Sequence, residues 1–193
     1  MNFTHAITKE AISQMPREVF PGRVVVVENE KELNSALSHL SLLSEIGFDT
    51  ETRPSFSKKT HYKMSLIQLS GDDICFLIRL NKFKKMPSSL EMFLKNNEIK
   101  KIGLSLRDDF HGLHSLTHVS PGNFIDLQQY VVQFGIADMS LQKIYAILFG
   151  KKISKRERLS NWEAETLTES QQHYAALDAW SCLRIYQFLE RSK

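Results

Sequence analysis

Between Glu45 and Leu80, three short runs follow one another so closely that a sheet is the economical way to place them. Glu45–Glu51, Lys63–Ser70 and Ile74–Leu80 each have strand length and are rich in β-branched, aromatic and other apolar residues. Gly71-Asp72-Asp73, between the second and third, has the composition of a hairpin turn. The result is a three-strand meander. The rest of the chain must pack on it.

What surrounds the meander alternates. Val24–Val27 is an all-β-branched run and reads as a strand. Asn29 with Glu32 resembles a helix N-terminal capping pair, and Leu33, Ala36, Leu37, Leu40 and Leu43 follow at helical spacing. Downstream, helices are expected from Pro87, over Asp108–Leu116, Asp126–Phe134 and Ser140–Phe149, and from Thr168 to Glu190, with strands at Ile99–Leu104 and Asn123–Ile125. This is an α/β or α+β pattern with a mixed sheet.

The 193 residues contain no internal repeat and no Gly/Ser linker, so one domain is expected over residues 23–193. Residues 1–22 read as a leader packed on it, with a short helix near Thr8–Gln14. Cys75 and Cys182 lie in apolar surroundings and suit buried thiols better than a disulfide. No apolar run reaches the ~20 residues of a membrane span, and the N-terminus is too polar for a secretory signal. A soluble, intracellular, cytoplasmic protein is therefore expected. The net charge of +3 permits a nucleic-acid partner without arguing for one.

The informative residues are acidic. Asp49 and Glu51 stand at i and i+2 of a strand, hence on one face. Such a pair is costly on a strand built for burial unless something positive sits between the acids; the plain alternative is a solvated strand end paired with Arg53. Asp108 and Asp109 follow the apolar strand at Ile102-Gly103. Asp108 reads as a helix N-cap, whereas Asp109 can lean back across the strand ends. Tyr174 and Asp178, at i and i+4, lie one above the other on a helix face, which is also what an ordinary amphipathic helix offers.

Singly these motifs are weak, but their order is specific. Asp49-x-Glu51, then Gly103 with Asp109, then Tyr174-x-x-x-Asp178 resembles the tyrosine subgroup of the DEDD 3′–5′ exonucleases, the group of RNase D and the Werner helicase exonuclease domain. Ser65-Leu66-Ile67-Gln68-Leu69, Asp126-Leu127 and Leu159-Ser160-Asn161-Trp162 extend the likeness over Val24–Leu189. It implies an RNase H-like fold with a five-stranded mixed sheet, order 3-2-1-4-5, flanked by helices. It also implies two divalent ions, Mg²⁺ or Mn²⁺, on Asp49, Glu51, Asp109 and Asp178, with Tyr174 beside the attacking water. Two such ions clamp both the attacking and the leaving oxygen of a phosphodiester. The sequence departs from the pattern at Asn161, where Asp is more usual before the tryptophan, and at Thr52.

The remaining candidates are weighed against plainer readings. Lys151, Lys152, Lys155, Arg156 and Arg158 form a basic stretch that is either solvated surface or a phosphate contact. Trp162 either stacks on a base or anchors its loop in the core. Thr50, Lys151, Lys152, Arg156 and Trp162 are the candidate substrate contacts, and Phe56, His61 and Met64 are candidate walls of a terminal-nucleotide pocket. His111 and His114 lack the further ligands a zinc site needs. No phosphate-binding glycine loop is present, so ATP use is not expected. The expected function is metal-dependent removal of nucleoside 5′-monophosphates from a single-stranded DNA or RNA 3′ end. The rivals are a non-catalytic nucleic-acid-binding module of the same fold and an RNase H-type endonuclease.

Overall fold

The computed structural model describes residues 3–57, 60–118 and 120–193; Met1 and Asn2 of the leader lie outside the described residues. Six strands form one sheet: β1 (Arg23–Val27), β2 (Glu45–Thr52), β3 (Met64–Ser70), β4 (Ile74–Arg79), β5 (Lys100–Gly103) and β6 (Phe124–Asp126). Their order is β1-β4-β3-β2-β5-β6. The meander β2-β3-β4 is antiparallel, while β5 and β6 extend it in parallel on the other side.

The five strands from β4 to β6 reproduce the expected order 3-2-1-4-5. The sheet has a sixth strand, however, because Arg23–Val27 pairs in parallel along the outer edge of β4. A β-branched run beside an open strand edge satisfies its backbone by joining that edge.

Local chemistry sets most element ends. The leader helix α1 (Lys9–Ser13) is capped by Thr8, and Asn29 caps α2 (Glu30–Leu40) by accepting from the Glu32 N–H at 3.0 Å. Helix α3 spans Ser88–Lys95 and α4 spans Leu106–His114. The expected helix over Asp126–Phe134 is a short α5 (Leu127–Tyr130) followed by a 3₁₀ turn. Helix α6 (Leu141–Phe149) stops at Gly150, whose φ of 63° suits glycine. Helix α7 (Glu169–Glu190) opens with a capping box between Thr168 and Gln171.

Helix α7 lies across one face of the sheet and is buried along most of its length, and α2, α3 and α4 cover the other face. It meets β2 tightly at Gly47. A Cβ there would stand 1.9 Å from the Ala179 carbonyl oxygen, so only glycine lets strand and helix meet. Both cysteines are buried and unbridged. Among the described residues, no helix is long and apolar enough to cross a membrane.

Candidate metal centre

Strand β2 runs past the end of β5, whose pairing with it stops at Gly47↔Ile102. The carboxylates of Asp49 and Glu51 therefore stand on an edge that β5 leaves open, on the face toward α7. The contact at Gly47 draws α7 onto the same strand and delivers Asp178, the neighbour of Ala179. Asp49, Glu51 and Asp178 bring carboxylate oxygens within 4.8 Å of one another.

Asp109 approaches from α4 on the far side of the strand edge. Its Oδ1 accepts the Thr50 hydroxyl. Thr50, expected at the substrate, thus holds an acid beside the cluster. Helix α4 starts earlier than the expected Asp108: Ser105 is its N-cap residue, and Asp108 is exposed in its first turn. Ser105 has a φ of 62° and makes no cap with its own side chain. Asp126, at the end of β6, caps instead: its two carboxylate oxygens accept from the Ser105 and Leu106 N–H groups at 3.0 and 2.9 Å. Asp126 therefore aims α4, and with it Asp109. Local spacing carries no sign of this, because the capping residue lies 20 positions downstream, at the end of the next strand.

The electrostatics are those of anions held together without enough positive charge. Burial, then Asp178 and Asp109, holds Asp49 well above the usual carboxylate range. Burial raises Glu51 to about 10, with Asp49, Asp178 and Asp109 adding to the effect and Arg158 opposing it. Burial raises Asp178 to about 7, against the pull of the Tyr174 hydroxyl and Lys155. Asp109 rises to about 6, chiefly by burial, with the Thr50 hydroxyl opposing. Tyr174 is pushed upward by burial and by the charges of Asp178 and Glu51, so it stays a phenol at neutral pH.

The donor set suits a divalent cation. Every group is an anionic oxygen, as hard cations prefer. Asp178 is 8% exposed, and its Oδ1 has no hydrogen-bond partner. A buried carboxylate oxygen left unpaired is expensive unless a cation meets it.

Asp49, Tyr174 and Asp178 border a cleft of about 180 Å³ together with Lys155 and Arg158. The basic stretch is thus split. Lys151 pairs with Glu18 of the leader at 3.1 Å, and the Lys152 ammonium donates to the Ser13 carbonyl. Arg156 is exposed and lies outside the cleft lining. Of the five cations, the two not singled out as substrate contacts are the ones that face the acids.

Trp162 is fully buried and offers no free face to a base, which removes it from the candidate stacking residues. Its ring lies 6.0 Å from that of Tyr174, at 34°, and backs it from the core side. Asn161 is occupied locally, its Oδ1 accepting the Glu163 N–H at 3.1 Å. His61 and Met64 line a separate groove, and Phe56 is 86% exposed beside a shallow pocket with Arg53 and Leu159. His111 and His114 are exposed on α4.

Comparison with known proteins agrees with this geometry. The bifunctional 3′-5′ exonuclease/ATP-dependent helicase WRN of Mus musculus is 30% identical over 184 residues, 91% of this chain and 13% of that protein. The exonuclease 3′-5′ domain-containing protein 2 of Drosophila melanogaster is 32% identical over 162 residues, 82% of this chain and 27% of that protein. The chain thus spans about a quarter or less of these relatives' lengths. The crystal structure of the Aedes aegypti Nibbler EXO domain superposes with a TM-score of 0.76 at 25% identity, covering 87% of each chain. The sheet and its flanking helices are accordingly those of the RNase H-like fold shared by such exonuclease domains. Residues 24–192 match the 3′-5′ exonuclease family, and the chain belongs to that family.

Proposed function

We propose that this chain removes nucleoside 5′-monophosphates one at a time from the 3′ end of a single polynucleotide strand, using two Mg²⁺ or Mn²⁺ ions held by Asp49, Glu51, Asp109 and Asp178. The observation that carries the reading is the convergence of three of these carboxylates within 4.8 Å, with Asp178 Oδ1 buried and unpaired. When bound, the ions supply the positive charge that the cluster lacks and stabilise charge developing on the attacking and leaving oxygens.

The chain's own residues do the rest. Tyr174, kept protonated, orients the attacking water through its hydroxyl while Trp162 fixes the ring. Lys155 and Arg158 face the acids across the cleft and bind the non-bridging oxygens of the scissile phosphate. Thr50 holds Asp109 in place from β2. Water attacks phosphorus, the bond to the 3′ oxygen breaks, and the proton given up by the water leaves with the product oxygen or solvent.

The test is a 5′-labelled strand, DNA and RNA in parallel, incubated with Mg²⁺ or Mn²⁺. A ladder shortening from the 3′ end is expected. Internal cuts alone would replace the proposal with an endonuclease, and binding without cleavage would replace it with a non-catalytic module.

A further inference from the structure

A second concavity, of about 520 Å³, opens at the same end of the sheet as the acidic cluster. Its walls are residues 61–63, leading into β3, and residues 83–86, between β4 and α3. Lys63, Lys84 and Lys85 line it; all three are exposed, and none has an acidic partner among the described residues. The one acid in the lining, Glu163, is answered by Arg53 at 3.4 Å. Arg53 also lies over the Tyr62 ring at 4.6 Å. Tyr62 and Phe83 are half-buried in the same walls.

Unpaired cations beside half-exposed rings are what a single-stranded nucleic acid requires: charge for its phosphates and flat apolar faces for its bases. The groove and the cleft also share a chain segment. The segment that carries Lys155 and Arg158 to the acids continues to Glu163 in the groove wall. Asp49 pairs with Gln68 on β3, and Met64 in the groove lies four residues further along that strand. Glu51 of the same cluster pairs with Leu66, two residues from Met64, so at about 3.3 Å per residue the groove begins roughly 7 Å from Glu51 and roughly 13 Å from Asp49. A stacked strand rising about 3.4 Å per nucleotide covers these distances in about two to four nucleotides.

We infer that this groove binds the phosphate backbone of the substrate strand about two nucleotides or more upstream of its 3′ end, an inference that rests on the exonuclease reading above. It makes the enzyme sensitive to strand length: a dinucleotide fills the cleft alone, and a dodecamer fills both sites.

The test combines Lys63→Ala, Lys84→Ala and Lys85→Ala, exposed substitutions whose folding is checked by Tm. Binding of a labelled dodecamer is measured in an Asp49→Asn background from 50 to 200 mM salt, and turnover in the active protein. Three lost phosphate contacts lower the salt slope by about 2, so the parent should lose about 18-fold more affinity than the variant over that range. In the active protein the variant should raise KM for the dodecamer at unchanged kcat and leave dinucleotide kinetics as they were. An unchanged slope and dodecamer KM, with the 3′ ladder intact, overturns the groove and leaves the exonuclease standing. A parent that binds the dodecamer with the full slope difference yet cuts nothing overturns the exonuclease and leaves the groove.

Discussion

Replacing Gly47 by alanine tests the contact that assembles the site. The added Cβ would lie 1.9 Å from the Ala179 carbonyl oxygen and 2.7 Å from its carbonyl carbon, both backbone atoms that no rotamer change can clear. Strand β2 and helix α7 would have to part by roughly 1 Å, an overpacking at the upper end of the usual range, about 3 kcal/mol. For a chain of this size that lowers Tm by roughly 6–12 °C. The same displacement carries Asp178 away from Asp49 and Glu51, and misplacement by about 1 Å costs on the order of 10²-fold in turnover. Thermal melts and initial rates on a 5′-labelled strand measure the two effects. Gly71→Ala is the control, since its Cβ would press on the end of the Leu43 side chain at 3.0 Å and come no nearer than 3.8 Å to the Ile74 carbonyl oxygen; its Tm should stay within about 3 °C of the parent. A Gly47→Ala protein with parental Tm and turnover would refute the reasoning.

The acidic cluster gives a pH signature. Asp109 and Asp178 titrate near 6 and 7 in the fold, against about 4 in the unfolded chain, so the folded state holds protons that the unfolded state has released. Their contribution to stability is therefore present at low pH and lost as pH rises through this window. In EDTA, parental Tm minus that of Asp178→Asn should become more negative from pH 5 to 7.5, and a difference growing more positive would contradict the assignment. Among the basic residues, Lys155→Ala or Arg158→Ala should each lower the salt slope of strand binding by about 0.7. Lys151→Ala should instead lower Tm at unchanged slope, because it deprives the enclosed Glu18 of its cation. Tyr174→Phe should keep the Mn²⁺-induced Tm shift while lowering kcat by roughly 10²–10⁴-fold; near-parental kcat would remove the hydroxyl from the mechanism.

The meander, the Val24–Val27 strand and the capped helices were legible because each is written in neighbouring residues. The acids were legible because alternation on β2 and the helical turn on α7 fix which way Asp49, Glu51 and Asp178 point. What escaped was set by distant partners. A β-branched run announces a strand but not the edge it joins, so the pairing of β1 with β4 had no local sign. Asp126 looked like a helix start and does accept from the Gln128 N–H at 2.9 Å, yet the same carboxylate caps α4. In the basic stretch, composition could not separate cations facing the leader from those facing the acids. Leader residues Ser13 and Glu18 decide that, more than a hundred positions away.

The placement of α7 also has a consequence in time. Asp49 and Glu51 leave the ribosome more than a hundred residues before Tyr174 and Asp178, an interval of roughly ten seconds at ordinary elongation rates. During that interval the sheet has no cover on one face, and the nascent chain holds only part of its acidic constellation. Synthesis order thus makes the docking of α7 the step that completes the constellation.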